Sequence, residues 1–230
     1  MEQVLSHQKL PPRIVEAYVG EYASGKSENA INRALDLARL GRKVTLVDLD
    51  LVEPFYTLRP IKKELQELGI DVLAWETGQT FGLGETGNIL KPEVRWVLRR
   101  QGDIILDVGY GVGGVRVLNL IEGAWEDPDL RIYAVINIAR PFNSTVEEVV
   151  EYVKTLGRVD GLINNSHLGN QTDLEFIQEG ARIVAAAAKV LGIPVIATAV
   201  ADDLAGFKGE RDCLGHPIRV LHRFMPHAFW

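Results

Sequence analysis

"GEYASGKS", residues 20–27, fits the pattern G-x-x-x-x-G-K-[ST]. Each fixed position has a physical use. Gly20 and Gly25 let backbone N–H groups turn inward around anionic oxygens, Lys26 brings a positive charge, and Ser27 offers a hydroxyl to a divalent cation. Upstream, residues 14–19 (IVEAYV) form a β-rich run; downstream, Ile31, Ala34, Leu35 and Ala38 recur at helical spacing before Gly41. A glycine loop between strand and helix is the setting in which such a loop binds phosphate, because the helix N-terminus adds free N–H groups and the positive end of its dipole. Gly20, Glu21, Tyr22, Ala23, Ser24, Gly25, Lys26, Ser27 and Glu28 are therefore candidate ligand contacts, with Lys26 expected on an exposed loop.

The same alternation continues along the chain. Short runs over 43–48, 71–75, 103–107, 132–138, 161–164 and 194–199 are apolar without the period-2 alternation of a half-exposed strand. Strands covered on both faces read this way. Between them lie amphipathic stretches. Ser144 with Glu147, and Thr172 with Glu175, are expected capping boxes ahead of helices carrying Val149, Val150, Val153 and Ile177, Ala181, Val184. The expected fold is α/β, a mainly parallel central sheet with helices on both faces. The chain of 230 residues suits one domain over 1–230, with a leader at 1–12 and a C-terminal tail at 206–230. Residues 77–91 carry four glycines and read as a long loop, after which Pro92 opens a short helix.

Two carboxylate clusters fall where a phosphate site needs them. The second strand ends "VDLDLVEP", placing Asp48 and Asp50 two residues apart at its carboxyl end. A later strand runs "DIILDVGYG", an apolar run ending in Asp107 with Gly111 four residues on. An aspartate at that place holds the shell of a Mg²⁺ ion, and a glycine there lets a backbone N–H approach the terminal phosphate. Ser27, Asp50 and Asp107 are thus the candidate Mg²⁺ residues. Ligands in open α/β sheets bind at the carboxyl ends of the strands, where all three clusters lie.

Composition narrows the rest. The formal net charge of −6 gives no general electrostatic footprint for nucleic acid. The single cysteine, Cys213, forms no internal disulfide or paired-cysteine metal site. No run of 18 apolar residues reads as a spanning helix, and MEQVLSHQKLPPR lacks a signal-peptide core, so a cytoplasmic location is expected. His167, Asp202 and Asp203 sit in loops after late strands. Arg219, Arg223, Phe224, Phe229 and Trp230 belong to an aromatic tail expected to pack on the body or on a second subunit.

Together, "GEYASGKS", "VTLVDLDLVEP", "DIILDVGYG" and "GLINN" with "IPVIATAV" resemble the MinD/ParA/Mrp-like P-loop ATPases, the class that includes nitrogenase iron protein, over most of residues 13–205. The resemblance implies a P-loop NTPase fold, Mg-ATP as ligand and ATP hydrolysis. It makes Lys26, Asp50 and Asp107 the catalytic group, with Asp50 near the attacking water. It makes Asn165, beside Asn164, the adenine contact. It implies a nucleotide-dependent switch or assembly factor for a partner protein, with a homodimer as a further possibility of the class. Related synthetases in the superfamily imply an alternative, an ATP-dependent small-molecule kinase or amide-forming ligase. Glu21 stands where the class carries a signature lysine that reaches across a sandwich dimer, so ATP is not expected to lock two subunits through that contact.

Overall fold

The computed structural model describes residues 12–51, 58–75, 90–204 and 209–225. The leader, most of the 77–91 glycine loop and the terminal aromatics Phe229 and Trp230 lie outside the described residues.

Eight strands form one sheet among the described residues: β1 (Val15–Gly20), β2 (Val44–Leu49), β3 (Asp71–Leu73), β4 (Asp103–Val108), β5 (Leu130–Ile136), β6 (Gly161–Asn164), β7 (Val195–Ala201) and β8 (Ile218–Leu221). Their order is β3-β2-β4-β1-β5-β6-β7-β8, and every pairing is parallel. Five α-helices accompany them: α1 (Lys26–Arg39), α2 (Lys62–Glu67), α3 (Gly111–Arg116), α4 (Val146–Leu156) and α5 (Leu174–Leu191).

The unbroken apolar runs have the expected cause. Alternate residues of one strand enter two separate cores. Leu46 and Ile105 pack with Ile31, Leu35 and Leu65 of α1 and α2, whereas Val47 and Leu106 pack with Val149, Val153 and Val184 of α4 and α5. Residues on both sides of the pleat are thus removed from water. Each fully buried Leu or Ile contributes roughly 2–3 kcal/mol, enough for the central strands to hold charged residues at their ends without unfolding.

Several local readings shift. The first capping box lies one residue later than expected. Thr145 is the N-cap of α4, its hydroxyl accepting from Glu148 N while the Glu148 carboxylate accepts from Thr145 N. Ser144 still contributes by donating its hydroxyl to the same carboxylate. For α5 the cap is Asp173, which accepts from Phe176 N, and Thr172 instead closes a turn onto Gly169 O. Residues 92–99 form a 3₁₀ helix kinked at Trp96. β5 stops at Ile136 because the Asn137 amide bonds both the N–H and the carbonyl of His167. The 206–230 stretch is not simply a tail: Ile218–Leu221 extends the sheet beside β7.

Candidate functional site

β1 delivers the chain into the glycine loop at the centre of the sheet, and α1 leaves it. Gly25 is the N-cap of α1 with φ 88°, and a Cβ there would lie 2.1 Å from Asn165 Nδ2. At Gly20 an added Cβ would meet the Val135 carbonyl at 2.5 Å. Both positions therefore require glycine, for conformation and for space. The loop is braced from β6: Asn165 Nδ2 donates to Ser24 O (2.8 Å), and Asn29 Nδ2 donates to Gly25 O (3.0 Å) and to Asn165 Oδ1 (3.2 Å). Asn164 faces the interior instead, bonding Ile177 O and Thr198 Oγ1, so Asn165 is the one of the pair at the loop.

Lys26 is buried at 7% exposure, not exposed as its loop position suggested, because the loop folds over the sheet end. Its Nζ donates to Glu21 O at 2.8 Å. Burial pulls its pKa down, while Asp107, Asp50 and Glu21 oppose that pull. The Glu21 carboxylate accepts from Tyr22 N (2.8 Å). Tyr22 in turn makes an edge-to-face contact with Tyr110, centroids 5.8 Å apart, tying the loop to the start of α3 at Gly111.

Asp107 is 1% exposed, and neither of its carboxylate oxygens has a hydrogen-bond partner of normal geometry. Its direct cross-strand neighbour on β2 is Asp48. Burial, and then the Asp48 charge, push the Asp107 pKa up to about 8, against the pull of the Ser27 hydroxyl and Lys26. Asp48 Oδ1 accepts from Asp50 N at 3.0 Å, and Asp48 Oδ2 faces Arg59 Nε at 3.7 Å with both side chains buried. Asp50 itself lies over Gly109, where a Cβ would come within 3.2 Å of its Oδ1. A buried carboxylate with two unanswered oxygens, beside a hydroxyl and a second carboxylate, fits a hard divalent cation. Among the described residues no group of three His, Cys, Asp or Glu forms a metal cage by itself. Mg²⁺ suits such a place, being bound through one or two carboxylates with waters and substrate phosphates.

Beyond Gly25 the loop borders a cavity of about 200 Å³. Ile177 and Leu221 supply apolar wall; Asn165, His167, Asp203 and Arg223 supply polar edges. Burial, then Arg140 and Arg223, lower the His167 pKa to about 4, which keeps the ring neutral near pH 7. Below the unfolded value near 6.5 the unfolded chain takes up this proton first, so stability falls as pH drops from about 6.5 toward 4. His167→Gln is expected to flatten that part of the pH–stability curve, by about 3 kcal/mol at most, in urea titrations at pH 4.5 and 7.5. An unchanged curve would show that the ring carries no such shift.

Glu28 belongs to the site in a way its position in the motif did not suggest. Its carboxylate accepts the N–H groups of Phe224 and Met225 at the edge of the cavity beside Gly25. Asn29 and Gly109 had no expected role, and Arg223 was expected only to belong to the aromatic tail; their neighbours Asn165, Asp50 and Asn170 come from other segments of the chain. Among the described residues Cys213 is exposed, with its N–H and thiol on Gln178.

A glycine loop opening a helix at the centre of a parallel sheet, with a buried aspartate at the end of the adjacent strand, defines the P-loop NTPase fold. Solved structures agree at that level. FtsY of Thermotoga maritima matches with TM-score 0.55 and 17% identity over 83% of this chain and 63% of that one. The 54 kDa signal recognition particle protein of Aeropyrum pernix, in complex with GDP, matches with TM-score 0.54 and 20% identity over 80% and 41%. FtsY of Elizabethkingia anophelis, also in complex with GDP, matches with TM-score 0.53 and 14% identity over 85% and 59%. The chain thus spans less than two thirds of each of these proteins. At such identities the likeness establishes the fold, and the narrower MinD/ParA-like resemblance rests on the sequence motifs. No protein-family model matches the sequence, and no curated protein matches it. No helix of the described residues is long and apolar enough to cross a membrane.

Proposed function

We propose that this chain binds Mg-ATP at Gly20–Ser27, hydrolyses it, and acts as a nucleotide-dependent switch or assembly factor for a partner protein. The observation that carries most weight is Asp107: a buried carboxyl group beside the Ser27 hydroxyl and Lys26, with neither oxygen in a hydrogen bond of normal geometry. Loop N–H groups and Lys26 hold the phosphates. Ser27 and Asp107 hold the Mg²⁺ shell, with Asp50 at its edge. The metal supplies charge neutralisation on the phosphate oxygens. Asp50 stands at the terminal phosphate to orient water. Gly111, at the start of α3, turns its N–H toward that phosphate, and the Tyr22–Tyr110 contact links the loop to α3, the natural element to move on hydrolysis.

Adenine is assigned to the cavity beside Asn165. Asn165, Ser166 and His167 offer neutral donors and acceptors there, and the chain places Leu168, not an acid, next in line. A second reading, guanine, is favoured by Asp203 at the cavity, since a carboxylate accepts from guanine N1–H and N2–H, and by the GDP in two structural neighbours. Binding of Mg-ATP and Mg-GTP, each with and without EDTA, separates them. ATP is expected to bind at least about tenfold more tightly, with EDTA weakening both. A preference for GTP would reassign the base, and binding indifferent to EDTA would remove the metal role of Asp107.

Glu21 bears on quaternary state. With a carboxylate at that position, light scattering is expected to show the same mass with Mg-ATP, Mg-ADP and no nucleotide. Glu21→Lys is expected to add an ATP-dependent dimer or a higher turnover. Clean conversion of the wild type to dimers on ATP alone would reverse the role given to Glu21.

A further inference from the structure

The end of the described chain is tied to the phosphate loop's own helix. Directly after β8, His222 N donates to Asn32 Oδ1, and Asn32 Nδ2 donates to His222 O, both at 2.8 Å. One turn nearer the loop, the Glu28 carboxylate accepts Phe224 N on one oxygen (3.0 Å) and Met225 N on the other (2.8 Å). Asn32 and Glu28 are 5% and 4% exposed. Chain ends fray unless tied down, and a buried carboxylate answered by two backbone N–H groups is a costly tie to assemble.

Between the two fastened points lies Arg223. Its guanidinium donates to Asn170 Oδ1 at 2.8 Å and stands 3.6 Å from the Asp203 carboxylate. It lines the same cavity as Gly25 of the phosphate loop, with Ile177 and Leu221 as apolar wall. A flat heteroaromatic ring joined to phosphates on the loop would therefore meet apolar surface and a planar cation held by Asn170 and Asp203, which line the same cavity. Guanidinium groups stack on aromatic faces, and their delocalised charge is less costly to desolvate than an ammonium.

We propose that Arg223 is a binding residue for the purine base, stacking on its face, and that Glu28 and Asn32 are positioning residues that hold it there. The proposal rests on the nucleotide site described above. It makes base binding and the position of the 222–225 segment reciprocal: a nucleotide that grips Arg223 holds the segment against α1, and a segment drawn away weakens the nucleotide.

Calorimetric titration with Mg-ATP and with Mg-tripolyphosphate, which carries phosphates and no base, tests this in the full chain. Arg223→Ala is expected to weaken Mg-ATP about tenfold while leaving tripolyphosphate within about twofold of wild type. The Arg223 side chain is partly exposed, so the variant is expected to fold, which a thermal melt checks. Glu28→Gln, which leaves one acceptor for two N–H groups, is expected to shift the two ligands in the same selective way and by less. Equal losses for both ligands, or no loss of ATP in Arg223→Ala, would overturn the base contact. Selective loss in Arg223→Ala with Glu28→Gln unchanged would overturn the positioning role. Wild-type protein that binds neither ligand would instead remove the nucleotide site, and this inference with it.

Discussion

Lys26→Ala is expected to abolish measurable binding of a fluorescent ATP analogue and to leave the thermal transition close to that of the wild type. The ammonium is the one cation of the loop, and Asp107, Asp50 and Glu21 surround it. In the structure it donates to Glu21 O, across the mouth of the loop. Bound phosphates replace that carbonyl with stronger, charge-assisted acceptors. Two such contacts at roughly 1.5–3 kcal/mol each amount to a loss of about a hundredfold or more. Folding is affected far less. Burying the ammonium is itself costly, as its lowered pKa shows, so deleting it removes a penalty along with one hydrogen bond. Retention of affinity within about threefold of wild type would remove the phosphate-loop assignment.

Asp107→Asn is expected to have two effects of opposite benefit. Nucleotide affinity loses its response to Mg²⁺, since an amide replaces the carboxylate of the metal shell. The metal-free protein becomes more stable, because a fully buried carboxylate beside Asp48 no longer has to be accommodated. Removing a buried, poorly satisfied acid of this kind, whose raised pKa marks the cost of its burial, is worth about 1–3 kcal/mol, or several degrees in a chain of this size. Thermal melts without metal and binding titrations with Mg²⁺ and with EDTA read the two effects separately. A variant that keeps full Mg²⁺ dependence would place the metal elsewhere. A variant less stable than wild type without metal would show that the carboxylate is satisfied by contacts other than a cation.

That pairing of effects would be the physical signature of a site built for a charged ligand. Asp48, Asp50, Asp107 and Glu21 crowd the end of the sheet against Lys26 and Arg59. Their mutual repulsion is a cost that the fold bears from its two apolar cores. On the function proposed above, a bound Mg²⁺ would relieve it, which would link ligand binding to stabilisation of this end of the molecule.

How much of this was legible beforehand depends on how local each feature is. The loop at residues 20–27, the helix that follows it and the aspartates closing β2 and β4 are contiguous patterns. Their spacing in the chain is their spacing in the fold, because a strand alternates sides every residue and a helix repeats every 3.6. Doubly covered strands also betray themselves, since Val44–Leu49 and Asp103–Val108 are mostly apolar on both faces before the aspartate near the carboxyl end, Thr45 and Asp103 being the exceptions. Capping was legible only to within a residue: Ser144 and Thr145 both offer hydroxyls, and the backbone angles at Thr145 decided between them.

What the amino-acid sequence by itself determined is the class of fold and the places in it of the glycine loop and of the aspartates that close β2 and β4, because these rest on short-range rules of periodicity and loop chemistry. Tertiary structure alone decided the rest. It buried Lys26, set Asp48 against Asp107 across two strands, and turned Asn165 onto Ser24 from a strand 141 residues away. It made an eighth strand of Ile218–Leu221, whose four residues are too few and too mixed to announce a strand until β7 offers its edge. It also gave Glu28 a task that no motif assigns, since its partners at Phe224 and Met225 lie 196 and 197 residues further along the chain. Contacts of that separation are set by how the sheet orders its strands, and strand order is a property of the packed whole, settled by which faces bury one another rather than by any stretch read alone.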